Sequence, residues 1–126
     1  MAKPRQTKRA KLNRLRDMAL PLKNAFLPMP PKPGRAHVQR VLENRDRFFF
    51  KSVAHELQAA RKKHASPVSV HQSYAIILEE LDEFWEQVRK KRRQRSPEKM
   101  FVELVQVAAM AQRCATELLM EGDPTV

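Results

Sequence analysis

Glycine is nearly missing from this chain, with two residues in 126. A loop that cradles phosphate through backbone amides, or a dinucleotide-binding turn, needs several glycines together, so both are excluded. Cysteine is scarcer still: Cys114 stands alone, and no intrachain disulfide can form. It lies in the apolar stretch VQVAAMAQRCATELL, where a buried, inert thiol in a reducing compartment is expected. Long apolar runs are absent too. No segment approaches the ~18 apolar residues of a membrane span, and the first thirty residues hold no apolar core of the kind a secretory signal needs. The expectation is a soluble, cytoplasmic chain that makes no membrane contact. Residues 1–20 are basic and nearly free of acid, as in a transit peptide or a nuclear signal, but lack the serine enrichment of the former. The histidines, His37, His55, His64 and His71, do not have zinc-ligand spacing, and no nucleophile motif is present.

What the chain does have is charge, unevenly spread. Residues 1–40 carry eleven Lys and Arg against Asp17 alone, whereas residues 71–126 carry eight against ten acids. A front end of that composition suits a polyanion such as DNA or RNA through counterion release, and Lys3, Arg5, Lys8, Arg9, Lys11, Arg14 and Arg16 are the candidate contacts. Plain solvation of a tail would explain the same charge. Phe26-Leu27-Pro28-Met29-Pro30-Pro31-Lys32-Pro33-Gly34 follows, and four prolines there forbid a helix. Residues 1–34 thus read as a basic arm with a proline-rich linker, and residues 35–126 as one helical domain.

Three helices are expected in that domain. Val38, Val41, Leu42, Phe49, Val53, Leu57 and Ala60 recur at three- and four-residue spacing, which predicts one long amphipathic helix over 36–63. Phe48-Phe49-Phe50 spans some 200° of its circumference, so one ring must meet a second surface. Ser69 and Gln72 form a capping-box spacing that opens the next helix. Its apolar arc, Val70, Tyr74, Ile77, Leu78, Leu81, Phe84, Trp85 and Val88, is the expected core face, with Trp85 in the core, and Glu79, Glu80, Glu83, Glu86 and Gln87 share the opposite arc. Ser96-Pro97-Glu98 supplies an N-cap, a first-turn proline and a first-turn acid for a third helix, which Gly122 and Pro124 should stop. That helix is apolar around most of its circumference, leaving Glu103, Gln106, Arg113 and Glu117 on a narrow stripe. A carboxylate on such a buried helix calls for a metal or an arginine, and Arg113 is too far along the axis to serve Glu103 directly.

The acids are the chemically informative feature. Glu79 and Glu83 stand four apart, Glu80 and Glu83 three apart, and Asp82 and Glu86 four apart, each pair repelling by roughly 0.2–0.5 kcal/mol on a helix. A hard divalent cation held by carboxylate oxygens would offset this, although a solvated acidic face is the simpler alternative.

In order, helical context and spacing, Glu80-x-x-Glu83 followed by Glu103-x-x-Gln106 resembles the E-x-x-E … E-x-x-D signature of the MazG-like all-α nucleoside triphosphate pyrophosphohydrolases. The phrase Tyr74-Ala75-Ile76-Ile77-Leu78-Glu79-Glu80-Leu81 also looks like small phage and bacterial members of that group. The resemblance covers residues 69–120. It implies an all-α bundle completed by oligomerisation as a homodimer or homotetramer. It also implies a cytoplasmic setting in a bacterial or phage-infected cell, and Mg2+ or Mn2+ held by Glu79, Glu80, Glu83, Glu103 and Gln106. The reaction implied is hydrolysis of a nucleoside triphosphate to monophosphate and pyrophosphate, with Glu80 and Glu83 as catalytic residues. Lys90 and Lys91 in the basic run after the second helix, with Arg113, His71 and Tyr74, are the candidate substrate contacts, each with an ordinary structural role as its alternative. One departure stands out: Gln106 replaces the last acid, and an amide adds no negative charge and cannot act as a base.

Overall fold

The computed structural model describes residues 28–120. The basic arm residues Lys3 to Arg16 lie outside that range, as do Gly122 and Pro124. Residues 28–34 are not helical, as their prolines require, and Lys32, ahead of Pro33, takes a left-handed φ of 54°. Three helices follow: α1 (Arg35–Lys63), α2 (Val70–Val88) and α3 (Pro97–Cys114), with a 3-10 turn at Arg92–Gln94 and a π-helical turn at Ala115–Leu119. No strand occurs among the described residues, so the protein is an all-α bundle.

The caps explain the helix starts. Ser69 accepts a hydrogen bond from the Gln72 amide at 3.1 Å, while the Gln72 side chain reaches the Val68 amide at 2.7 Å, one residue before the position a strict capping box would use. Ser96 accepts from the Lys99 amide, and Pro97 occupies the first turn, where its missing N–H costs nothing. The start of α1 has no side-chain cap, and the amides of His37 and Val38 bond only to the Gly34 carbonyl. Its end is better suited, with Arg61, Lys62 and Lys63 against the negative end of the helix dipole.

Helix α3 is the centre of the bundle, packed against both α2 and α1. Phe48 stacks on Phe101 with centroids 5.5 Å apart, and Arg61 pairs with Glu117, so α1 and α3 run in the same direction and α2 runs against both. Val53, Leu57, Val102, Val105 and Ala109 form the apolar core, edged by Phe49, Phe101, Ala108 and Met110. The phenylalanine triple divides as helix geometry demands: Phe48 is buried, Phe49 meets Phe101 edge-on, and Phe50 points outward. Leu42, expected in the core, is half exposed, because the turns of α1 before Phe48 run past the start of α3.

The orientation of α2 reverses the expectation. Its buried residues are Ser73 and Gln87, whereas Tyr74, Leu78, Leu81 and Trp85 lie exposed, Trp85 by 57%. The polar stripe of α2 faces the polar stripe of α3, where Glu103, Gln106 and Arg113 are likewise buried. Hydrophobic periodicity locates an apolar face but not its occupant, and here the neighbour within the chain takes the acidic side instead.

Candidate metal centre

Because Glu80 and Glu83 are three residues apart, their side chains leave the same side of α2, and that side meets α3. Glu103, 1% exposed, enters from α3. Ligand oxygens of Glu80, Glu83 and Glu103 all lie within 4.8 Å of one another. The two members on α2 are half-buried and the third fully so, giving a cluster with one dry wall and one open side. Two ionised carboxylates at such a distance repel by about 3 kcal/mol at an effective dielectric constant of 20, a repulsion that a bound cation would offset.

The donor set fits a hard divalent ion. All three are carboxylates, and oxygen atoms around one ion with bonds of 2.0–2.6 Å stand no more than roughly 4–5 Å apart, a limit that the three satisfy. Gln106, one turn after Glu103, is buried on the same helix and offers an amide oxygen. Glu79 is not one of the three; it lies about 100° around the helix from Glu80, at the edge of the α2–α3 contact. Ser73 Oγ, on the same stripe of α2 about two turns before Glu80, is buried without a hydrogen bond.

The expected substrate residues separate. Lys90 folds back onto the acidic side, its Nζ donating to Gln87 Oε1 at 3.0 Å. Lys91 is exposed in the loop that Arg95 Nε closes by donating to the Lys90 carbonyl. His71 and Tyr74 are exposed on the outer face of α2, roughly 150° from the acids, and the structure does not bring them to the cluster.

Arg113 is also removed from the site. It is buried beyond the C-terminal end of α1, where Nε donates to Glu117 Oε2 at 2.9 Å and Nη2 donates to the carbonyls of His64 and Ala65, both at 2.8 Å. This one guanidinium ties α3 to the α1–α2 connection. Burial pushes the Glu117 carboxyl up, but hydrogen bonds from Arg61, Ser66 and Arg113 and the Arg113 charge outweigh it and hold the group below its ordinary value of 4.5. A depressed carboxylate stabilises the fold above its unfolded pKa, and that stability disappears as pH falls through the folded value. Urea midpoints are therefore expected to decline as pH drops below 4.5, and Glu117→Gln, though less stable at neutral pH, should show a shallower decline. Equal slopes for the two proteins would contradict this assignment.

Sequence reasoning missed Glu56 and Ser52 on α1, both buried. An acid in a helix rich in Lys and Arg reads as solvated, and only the packing of the bundle reveals otherwise. No family model, curated protein or solved structure matches the chain.

Proposed function

We propose that this protein is a metal-dependent nucleoside triphosphate pyrophosphohydrolase of the MazG-like kind. The observation that carries the reading is the convergence of Glu80, Glu83 and Glu103 from two packed helices to within 4.8 Å. These three would hold Mg2+ or Mn2+, which when bound supplies charge stabilisation for a triphosphate and lowers the pKa of a bound water. Gln106 can donate only a neutral amide oxygen, so proton acceptance falls to Glu80 or Glu83. Lys90, whose Nζ donates to Gln87 Oε1, would pair with a phosphate oxygen that approaches along α2. A homodimer or homotetramer and a cytoplasmic setting belong to the same reading; no helix among the described residues is long and apolar enough to cross a membrane.

The test is a screen of all common ribo- and deoxynucleoside triphosphates with each metal, reading monophosphate and pyrophosphate. At least one nucleotide is expected to be converted. No turnover with any nucleotide and either metal would remove the enzyme reading.

The charge of the first forty residues favours a second reading, a helical module that binds nucleic acid through its N-terminal arm. Such binding weakens by roughly one power of salt concentration per phosphate neutralised. Deleting residues 1–34 should then abolish DNA or RNA binding while leaving the helical content of the bundle intact. Equal affinity and an equal salt slope after the deletion would exclude the arm.

A further inference from the structure

The loop after α2 concentrates positive charge that the rest of the bundle does not neutralise. Six of the seven residues 89–95 are Lys or Arg, and from Arg89 to Lys99 seven cations stand against Glu98 alone, whose carboxylate accepts from Ser96 Oγ. Of the six, only Arg89 meets a carboxylate among the described residues, 3.2 Å from Glu86 with both side chains more than half exposed. Lys90 Nζ and Arg95 Nε donate to neutral oxygens, the Gln87 amide and the Lys90 carbonyl. The side chains of Lys91, Arg92 and Arg93 have no partner among the described residues. Backbone bonds from the Gln94 amide to Lys91 and from the Arg95 amide to Arg92 fold the run into a 3-10 turn, so these like charges are held together by the chain and not by counterions.

Neighbouring elements do not cancel the charge. The stacking of Phe48 on Phe101 brings residues 35–47 of α1 past the same end of the bundle, and they carry Arg35, Arg40, Arg45 and Arg47 against Glu43 and Asp46. On α2, Glu86 is already engaged by Arg89, Asp82 lies one turn earlier, and Glu83 belongs to the carboxylate cluster. A partner for this end is therefore a polyanion. One turn before Arg89, and only about 40° around the helix from it, Trp85 is 57% exposed. An exposed indole beside a cation cluster is the combination that holds single strands, the phosphates following the cations while a base stacks on the ring. A duplex keeps its base faces stacked on one another and offers none to such a ring. We propose that Trp85 and the cations of residues 89–95 form a binding site for single-stranded nucleic acid. The site lies outside residues 1–34 and roughly 150° around α2 from Glu80 and Glu83, so it rests neither on the arm nor on the metal centre.

The test titrates the full chain with an oligothymidylate of about twelve nucleotides and reads the emission of Trp85, the single tryptophan. Saturable quenching is expected, whereas a duplex of the same length should leave the emission unchanged whether or not it binds. Replacing Arg92→Ala and Arg93→Ala together should lower the affinity at low salt about tenfold and make its salt dependence shallower by about 0.7 power for each cation removed. Circular dichroism of this variant should be unchanged, because neither side chain contacts the fold. Trp85→Ala, followed by anisotropy of a labelled strand, should weaken binding about tenfold or more with the salt slope unchanged. Absence of binding, or binding that leaves the emission unchanged, would overturn the proposal. So would equal affinity and slope in both variants, which would assign the strand to the arm. Phosphatidylserine vesicles that shift the emission to the blue where the strand has no effect would assign this surface to a membrane instead. Emission that responds only to protein concentration would assign it to a second copy of the chain.

Discussion

Glu103→Gln is expected to leave a folded protein that releases pyrophosphate from nucleoside triphosphate at less than about one hundredth of the original rate. Changes one shell outside a metal can already cost 10–100-fold, and on the proposed reading this one would remove a charged ligand from the ion itself. Glutamine has the same shape and Gln106 shows that an amide is accommodated one turn away, so packing of α3 against α2 should survive. The control is Glu79→Gln, which changes the same charge at a residue outside the three-carboxylate cluster and should alter the rate only a few-fold. Pyrophosphate release at saturating metal measures both. Equal losses in the two variants would mean that the acidic helix acts as a general field and not through three ligands.

The second large effect is structural. Arg113→Met is expected to destabilise the protein by about 2–4 kcal/mol, because the His64 and Ala65 carbonyls lose their buried donor and Glu117 keeps only Arg61 as its cation. The methionine replaces most of the volume but none of the three hydrogen bonds that the guanidinium gives to Glu117, His64 and Ala65. Urea unfolding with an unchanged slope would report the loss as stability. The double variant Arg113→Met with Glu117→Gln should recover part of it, because the carboxylate that keeps only the partly exposed Arg61 as its cation is gone. A loss below about 1 kcal/mol would show that the contact behaves as an ordinary surface pair.

The contrast between Arg113 and Glu103 shows what the sequence could and could not reveal. Helix positions were legible because their signals are local: Ser69 and Ser96-Pro97 set two starts within the first turn, and four prolines keep residues 28–34 out of α1. That Glu80 and Glu83 share a side of α2 was legible for a related reason, since they stand three residues apart, whereas the placing of Glu103 beside them came only with the family resemblance. Glu79 and Glu80 could not be ranked in this way, because choosing between adjacent residues needs the rotation of α2 against α3. The burial of Trp85 was misjudged for a more general reason. An amphipathic helix has two faces, and α2 gives its polar one to α3 because α3 itself turns Glu103, Gln106 and Arg113 inward. Ser73 and Gln87 became core residues by that same choice. Arg113 read as a phosphate contact because the carbonyls of His64 and Ala65 that it holds leave no trace in residue spacing.

On the proposed reading, Glu80, Glu83 and Glu103 together bind one divalent cation. Titration of Mn2+ into the full chain, with free ion followed by its electron paramagnetic resonance signal, reads this directly. Saturable binding is predicted in the parent protein and in Glu79→Gln and Glu86→Gln, with binding weakened at least about tenfold in Glu80→Gln, Glu83→Gln and Glu103→Gln alike. No saturable binding in the parent, or undiminished binding in the three variants, would contradict it.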